Sequence, residues 1–303
     1  MKSYLAIDIG SNTIKCLLAE RHSDGKVDLL WQYSENARIS DGCGGLVPNA
    51  AEIVSDCVEK FREGARGIVK NFSEKAVATS ALREAVDGNS VAAKIFDSCG
   101  AKIFILSESE EAALSYEGAM TDPDIPKFDA SIFFDLGGGS IEFVAGACSK
   151  VNKFASFPLG AVRLTKLYSG SDAVADADSL RAMAEYCRSR FDNFSVLGPL
   201  ENSKALIGTG GALSAARRLA ALLNGRDSAL VDVGDIERIL SEIAPMPVSE
   251  RARKYALPES RADILPAAFV CILEASKTLG YNSIWHTYRN LRYGLVSRWE
   301  TIG

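Results

Sequence analysis

Two stretches of the chain share one pattern of apolar and polar positions. In each, a short apolar run ends on an aspartate, the chain turns through glycine and hydroxyl residues, and a second apolar run follows. The first stretch covers residues 4–18 and turns after Asp8; the second covers residues 131–145 and turns after Asp135. Short apolar runs on both sides of a glycine turn predict β-hairpins. The repetition predicts a duplicated α/β domain with one hairpin in each half.

The residues at the turns favour phosphate binding. Because glycine has no Cβ, the backbone N–H groups of a glycine-rich turn can face a bound anion. The second turn contains three glycines and a hydroxyl residue: Gly137, Gly138, Gly139 and Ser140. The first contains Ser11, Asn12 and Thr13. A third glycine turn begins at Gly208 and opens a helical stretch. A plain β-hairpin is the alternative for either hairpin taken alone, but together the turns favour two phosphate-binding hairpins that face each other across a cleft.

Carboxylates flank the second turn. Asp135 precedes the glycines and Glu142 follows them. Hard oxygen ligands of this kind suit Mg²⁺ that is bridged to phosphate. The sequence therefore predicts that this hairpin binds a metal together with phosphate.

A strand and a helix between the hairpins contribute further charged residues. Residues 75–80 predict a strand with Arg83 just beyond its carboxyl end, where α/β sites usually lie. Ser107 is predicted to cap a helix that runs to about residue 120. The first turn of this helix contains two adjacent acids, Glu110 and Glu111, as the helix dipole favours. Adjacent helix positions point about 100° apart, so only one of the two acids can face a cleft.

Two prolines within residues 121–126 mark the best linker candidate. We therefore predict a first domain over residues 1–125 and a second over residues 126–303. A C-terminal helix from about residue 290 to 303 is expected to pack back on the first domain. Near the start of the chain, Asn49 and Glu52 predict a capping box for another helix.

Composition narrows the classes of function. The chain has 303 residues, of which 47% are hydrophobic and 24% charged, and its net charge of −5 argues against generic nucleic-acid binding. No apolar run approaches the length of a membrane span. Seven cysteines without a CxxC motif predict a reducing, cytoplasmic environment. With two histidines in the chain, a histidine-rich metal site or a histidine-dependent catalytic triad is excluded.

Six segments together resemble a known family. They lie in one order along nearly the whole chain: residues 6–13, 78–85, 110–112, 135–142, 158–164 and 261–267. They resemble the Ppx/GppA phosphatases, a branch of the actin-like (ASKHA) ATPase superfamily that includes exopolyphosphatases and guanosine pentaphosphate phosphatases. The resemblance implies an α/β fold of two actin-like (ribonuclease H-like) domains with a cleft between them. The length matches the short, two-domain form of the family.

The resemblance also implies an activity. Members hydrolyse the terminal phosphate of inorganic polyphosphate or of pppGpp, usually with Mg²⁺, for which Mn²⁺ is a substitute. We therefore expect an exopolyphosphatase that binds inorganic polyphosphate or a guanosine polyphosphate and neither nucleic acid nor membrane. The family often forms homodimers, although this sequence has no strong interface signal.

Residue roles follow from the same resemblance. Glu111 would be the base that activates the attacking water, with Glu110 as its rival, and Arg83 would hold the phosphate being cleaved. Asp135 and Glu142 would hold Mg²⁺. Phosphate would be bound by the residues of the turns and by cations of the cleft: Asp8, Ser11, Asn12, Thr13, Gly137, Gly138, Gly139, Ser140, Arg38, Arg163 and Gly208, with Arg261 a weaker candidate. The alternative for the two acids is that they are solvated charges at the start of a helix. The alternative for Arg38 and Arg163 is that they are ordinary surface arginines.

Two departures from the family pattern keep other functions open. Glu108 stands where members commonly have glycine, and residues 286–294 carry bulk and charge where members have a small-residue turn and a glutamate. These changes could reshape the distal binding site, add a nucleotide-base contact through Tyr288, or reduce activity. A catalytically weak (p)ppGpp sensor is therefore the first alternative. An actin-like small-molecule kinase is the second, although no acceptor-binding signature is present.

Overall fold

The strands of the computed structural model form two sheets. The structure describes residues 2–11, 13–40, 45–147, 150–169, 173–191, 194 and 203–302. Within these ranges the strands are β1 (Lys2–Ile9), β2 (Thr13–Arg21), β3 (Val27–Asn36), β4 (Ser73–Ala78), β5 (Ile103–Ile105), β6 (Ala130–Leu136), β7 (Ile141–Ala147), β8 (Lys150–Phe157), β9 (Leu206–Thr209), β10 (Leu230–Asp232) and β11 (Ser283–His286).

The two sheets repeat one topology. The first has the order β3-β2-β1-β4-β5 and the second the order β10-β11-β9-β6-β7-β8. In each, three consecutive strands form an antiparallel meander, and two further strands pair in parallel beside its first strand. The second sheet has one more strand, β10, which pairs antiparallel with β11 at its edge. The predicted duplication of a hairpin-containing α/β sheet is therefore confirmed. The chain divides into two compact units, Met1–Thr121 with Arg289–Gly303, and Asp122–Tyr288.

Helices cover these sheets. They are α1 (Ala50–Arg66), α2 (Ser80–Glu84), α3 (Gly88–Cys99), α4 (Glu108–Met120), α5 (Ala161–Tyr168), α6 (Ala177–Phe191), α7 (Gly211–Asn224), α8 (Val233–Ile243), α9 (Val248–Tyr255), α10 (Glu259–Ala262), α11 (Leu265–Leu279) and α12 (Leu291–Ser297). Among them, none combines the length and the apolar character that are needed to cross a bilayer.

The first sheet buries both of its faces. Alternate residues of β1 belong to different cores, since side chains of a strand point to opposite faces. On one face, Leu5 and Ile7 pack with apolar residues of α1 and α3. On the other, Tyr4 and Ala6 pack with α4 and α12. The last helix is therefore an integral layer of the first unit.

Close backbone contact holds α12 against α4. A Cβ at Gly294 would lie 1.9 Å from the carbonyl oxygen of Leu114, and one at Gly118 would lie 2.0 Å from that of Asn290. Both glycines are buried. The two helices approach so closely that neither position has room for a side chain.

The second unit has one large core. Its apolar side chains come from β6, β7 and β9 and from the surrounding helices, with α11 buried along nearly its whole length. Fully buried Arg251 donates hydrogen bonds to four carbonyl oxygens, those of Ala173, Ile243, Ala244 and Ala262. The buried guanidinium thus has backbone acceptors for its donor groups, as a buried polar side chain requires.

Three local predictions can be compared with the structure. Ser107 caps α4 in a reciprocal capping box with Glu110, which confirms the predicted helix start. The predicted box at Asn49 is wrong, because the Asn49 side chain makes no capping hydrogen bond. The apolar stretch 263–279, predicted as one helix that ends before Gly280, forms α11 from Leu265 to Leu279, with Pro266 in the first turn, where proline fits better than in a helix interior.

We expect Gly294→Ala to lower the free energy of unfolding by about 1–3 kcal/mol, because the added methyl group overpacks the contact between α12 and α4. Chemical denaturation monitored by circular dichroism measures this. Ser297→Ala in the same helix adds no Cβ and serves as the control. Equal stability of the Gly294→Ala variant and the wild-type protein would show that the two helices can separate at no cost.

Candidate functional site

The first hairpin turn lies against the start of α2. The Oγ atoms of Ser11 and Ser80 are 3.1 Å apart, and the Ser40 N–H donates to the Ser11 carbonyl oxygen at 3.3 Å. Thr13 closes the turn, since its carbonyl oxygen accepts from Gly10 N–H. Asn12, which was predicted to bind phosphate, lies outside the described residues. The turn therefore presents hydroxyl groups from two segments side by side.

Arg83 and Glu111 form an ion pair beside these elements. Arg83, on α2, donates through Nη1 to Glu111 Oε2 at 2.8 Å and to the Leu106 carbonyl oxygen at 3.0 Å. The side chains are 22% and 34% exposed. The Nε and Nη2 atoms of Arg83 have no protein acceptor in the described part of the chain. The guanidinium thus orients the carboxylate while retaining donors for an anion.

Glu110 has a different role from its neighbour. Its carboxylate accepts from the N–H and the hydroxyl group of Ser107, at 2.8 and 2.7 Å. These hydrogen bonds lower the pKa of Glu110. A carboxylate engaged in capping its own helix is a poor candidate for a base, so the geometry favours Glu111. Glu108, the departure from the family pattern, is exposed.

Asp8 is half-buried at the end of β1. It lies opposite Lys15 in the hairpin register. Burial raises the pKa of Asp8, and the charges of Lys15 and Arg292 oppose this rise. Arg292 is buried and donates to the Cys16 carbonyl oxygen at 2.8 Å, while its Nε has no partner among the described residues. Burial thus disfavours the ionised form of Asp8, whereas the positive charges of Lys15 on β2 and Arg292 on α12 favour it.

The second hairpin aligns four polar residues across the sheet. Ser156, Glu142, Asp135 and Thr209 are successive register partners on β8, β7, β6 and β9. Register partners share a face of the sheet. The Ser156 hydroxyl donates to Glu142 Oε1 at 3.2 Å. The two predicted metal ligands are therefore cross-strand neighbours.

This donor set fits Mg²⁺ held together with a phosphate. In the described ranges, no group of three or more histidine, cysteine or acidic side chains could hold a metal by itself. Mg²⁺ usually takes one or two protein carboxylates and completes its shell with water and substrate phosphate. Asp135 and Glu142 match that requirement.

The glycine turn of the second hairpin packs under α5. The carbonyl oxygens of its three glycines accept from N–H groups of residues 160, 161 and 163. A Cβ at Gly160 would lie 2.3 Å from the backbone of Gly138 and Gly139. With the carbonyls turned toward α5, the N–H groups of Gly138, Gly139 and Ser140 have no protein acceptor in the described structure. Exposed Arg163 donates from Nε to the Gly139 carbonyl oxygen at 3.1 Å.

The third glycine turn requires one correction. Gly208 was predicted to bind phosphate, but it lies within β9, where Phe134 and Leu213 crowd its Cα. It is a packing residue, because no larger side chain fits there. The turn itself contains Gly210, whose φ of +107° is a conformation that favours glycine.

Two arginines outside the hairpins can be placed. Arg261 lies against the start of α7, where a Cβ at Gly211 would meet its guanidinium. Arg261 is half-buried and its guanidinium has no acidic partner among the residues described. Arg38 is exposed and has a left-handed φ of +48°. Both present positive charge close to predicted phosphate-binding segments of their own units.

A cluster that the sequence did not reveal surrounds the end of β11. Arg217 of α7 makes a bidentate ion pair with Asp227, at 2.7 Å for both contacts. Its guanidinium carbon lies 5.4 Å from the centroid of the Tyr288 ring. The His286 ring is fully buried and contacts Tyr288 edge to face, with centroids 4.4 Å apart. Sequence spacing gives no signal for contacts between residues so far apart along the chain.

The sequence and the fold can now be compared with known proteins. The pattern of the Ppx/GppA phosphatase family matches residues 20–301. The chain belongs to this family. The Aquifex aeolicus member of the Ppx/GppA family has a similar structure, with a TM-score of 0.84, 20% identity, and coverage of 98% of this chain and 96% of that one. An exopolyphosphatase from Cytophaga hutchinsonii has a TM-score of 0.78 and 23% identity, with coverage of 97% and 96%.

A curated relative matches part of the chain. The bifunctional 3-dehydroquinate synthase/phosphatase of Fusobacterium nucleatum is 29% identical over 175 residues, which are 54% of this chain and 26% of that protein. The chain therefore spans about a quarter of the length of this relative. The family and the fold inferred from the six segments are confirmed.

We expect buried His286 to make the protein acid-sensitive. Burial lowers the pKa of His286 from 6.5 to about 4. The folded state therefore disfavours protonation, and stability falls as the pH decreases from about 6.5 to about 4, by roughly 3 kcal/mol. His286→Gln should reduce this loss, measured by denaturation at several pH values. His22→Gln, which changes the other, more exposed histidine, is the control, and an unchanged pH profile for His286→Gln would contradict the prediction.

Proposed function

We propose that the chain is a Mg²⁺-dependent phosphoanhydride hydrolase that releases the terminal phosphate of inorganic polyphosphate, with pppGpp as a second substrate. The Arg83–Glu111 pair, with guanidinium donors still available, is the observation that carries this proposal. Membership in a phosphatase family and the likeness to an exopolyphosphatase support it. Mn²⁺ is a second metal to test.

Glu111 acts as the general base in this proposal. Water attacks the terminal phosphorus, its proton passes to the Glu111 carboxylate, and the bond from phosphorus to the bridging oxygen breaks. Arg83 binds the terminal phosphate through its remaining N–H donors and offsets the charge that develops on the phosphate oxygens. Glu110 is left to stabilise the helix that carries the base.

The second unit has its own groups that would bind phosphate. The N–H groups of the turn at Gly138, Gly139 and Ser140 donate to phosphate oxygens. Asp135 and Glu142 would hold Mg²⁺, which would neutralise phosphate charge. Arg261 adds a cation at the start of α7, where the helix dipole also favours an anion. Arg163 and Arg38 are assigned to more distal phosphates.

A specific observation favours a second candidate function. The Glu111 carboxylate accepts a hydrogen bond from the Arg83 guanidinium at 2.8 Å, so one of its oxygens is already occupied in the ion pair. If the pair persists when substrate is bound, the chain binds guanosine polyphosphates with little turnover and acts as a sensor.

Glu111→Gln is expected to lower kcat by about 10²- to 10⁴-fold and to leave polyphosphate binding within about threefold, because the amide accepts no proton. Phosphate release with Mg²⁺ and a separate binding titration measure the two effects. Glu110→Gln, at the neighbouring position, is the matched control and should retain activity. Full turnover by the Glu111→Gln variant would remove Glu111 from the role of base. Tight binding without turnover by the wild-type protein would favour the sensor.

Arg261→Gln is expected to lower kcat/KM for polyphosphate by about 10- to 100-fold, because a charge-assisted hydrogen bond to phosphate is lost. Initial-rate kinetics with Mg²⁺ tests this. Arg253→Gln removes an exposed arginine from the nearby helix α9 and controls for net charge. Equal losses in the two variants would indicate a nonspecific effect of charge.

A further inference from the structure

An exposed tyrosine stands on a rigid base at the end of β11. The Tyr288 side chain is 59% exposed, although the two preceding residues are fully buried. Thr287 N–H donates to the Gly208 carbonyl oxygen at 3.0 Å, and the Thr287 hydroxyl donates to Asp122 Oδ2 at 2.5 Å. The backbone that carries the ring is therefore fixed immediately before it.

Neighbouring side chains also fix the orientation of the ring. The imidazole of His286 contacts it edge to face, and the guanidinium of Arg217 lies 5.4 Å from its centroid. Arg217 is itself held by its bidentate pair with Asp227. Ring contacts of both kinds are favourable, and a ring that is ordered before binding loses little entropy when a ligand stacks on it.

The position of the ring relates it to the phosphate-binding turns of the same unit. The Thr209 hydroxyl donates to the Thr287 carbonyl oxygen at 3.0 Å. Thr209 is the register partner of Asp135 and directly precedes the turn at Gly210. Tyr288 therefore lies at the carboxyl ends of neighbouring parallel strands, the edge of an α/β sheet where ligands bind.

We propose that Tyr288 is a stacking platform for the base of a nucleoside polyphosphate whose phosphates bind the glycine turns of the second unit. The proposal rests on the proposed function for the identity of the phosphate site. Tyr288 determines specificity: it distinguishes a nucleotide from an inorganic chain of equal phosphate number. Arg217 is a positioning residue that acts through the ring.

The test compares GTP with inorganic tripolyphosphate, which share a three-phosphate chain and differ in the nucleoside. Binding of each with Mg²⁺ is measured by calorimetry, in a Glu111→Gln background that slows hydrolysis. Tyr288→Ala should weaken GTP binding by about 5- to 100-fold, the range expected for loss of one stacked base, and change tripolyphosphate binding less than twofold. Tyr288→Phe keeps the ring and should bind both ligands as the background protein does.

Arg217→Gln is an independent variant. We expect it to weaken GTP binding by a smaller factor than Tyr288→Ala does and to leave tripolyphosphate binding unchanged. Leu222→Ala, at an exposed position of the same helix, is the control and should change neither affinity. Equal loss of both ligands in Tyr288→Ala, or GTP binding no tighter than tripolyphosphate in the background protein, overturns the platform.

The outcome also separates this proposal from the hydrolase. If the wild-type protein releases no phosphate from any substrate but GTP binding depends on the Tyr288 ring, the role proposed for Tyr288 is supported and the proposed hydrolase activity is contradicted. If polyphosphate is hydrolysed and GTP binding is insensitive to Tyr288→Ala, the hydrolase activity is supported and the role proposed for Tyr288 is contradicted.

Discussion

The pairing register of the two hairpins is the constraint on which the candidate site depends. Register places Asp8 opposite Lys15 in one unit and Asp135 opposite Glu142 in the other. A slip of one residue would turn every side chain of a strand to the other face of its sheet. In β6 such a slip would turn Asp135 into the core to which Phe134 and Leu136 belong, so the apolar core of the sheet also specifies the position of the carboxylate.

Three acids of the first unit, Asp8, Glu110 and Glu111, differ in the groups that surround them. Glu110 is used by its own helix, while Glu111 is oriented by Arg83. Asp8 is stabilised by cations from two elements, one of which reaches it from the far end of the chain. Adjacent glutamates thus differ in their surroundings because of backbone position and not because of residue type.

The sequence was informative where the determining interactions are local. Hairpins, the capping box at Ser107 and the order of the family segments depend on a few neighbouring residues, and they were predicted. Gly208 was misplaced because a glycine that is needed for packing looks the same as one that is needed for a turn. The contact of Arg261 with Gly211 and that of Arg217 with Tyr288 join distant segments, so they are set by the packing of helices that no local pattern specifies.

The place of α12 in the first unit has a consequence for biosynthesis. Leu291, Tyr293, Leu295 and Val296 complete a core that begins with Tyr4 and Ala6. During translation, the first sheet therefore emerges with one face incompletely covered, whereas residues 122–288 can complete their own core before α12 has been made. The unit that is synthesised first can therefore complete its core only after residues 289–303 have left the ribosome. Until then it has an exposed apolar face, the kind of surface that makes a folding intermediate prone to aggregate.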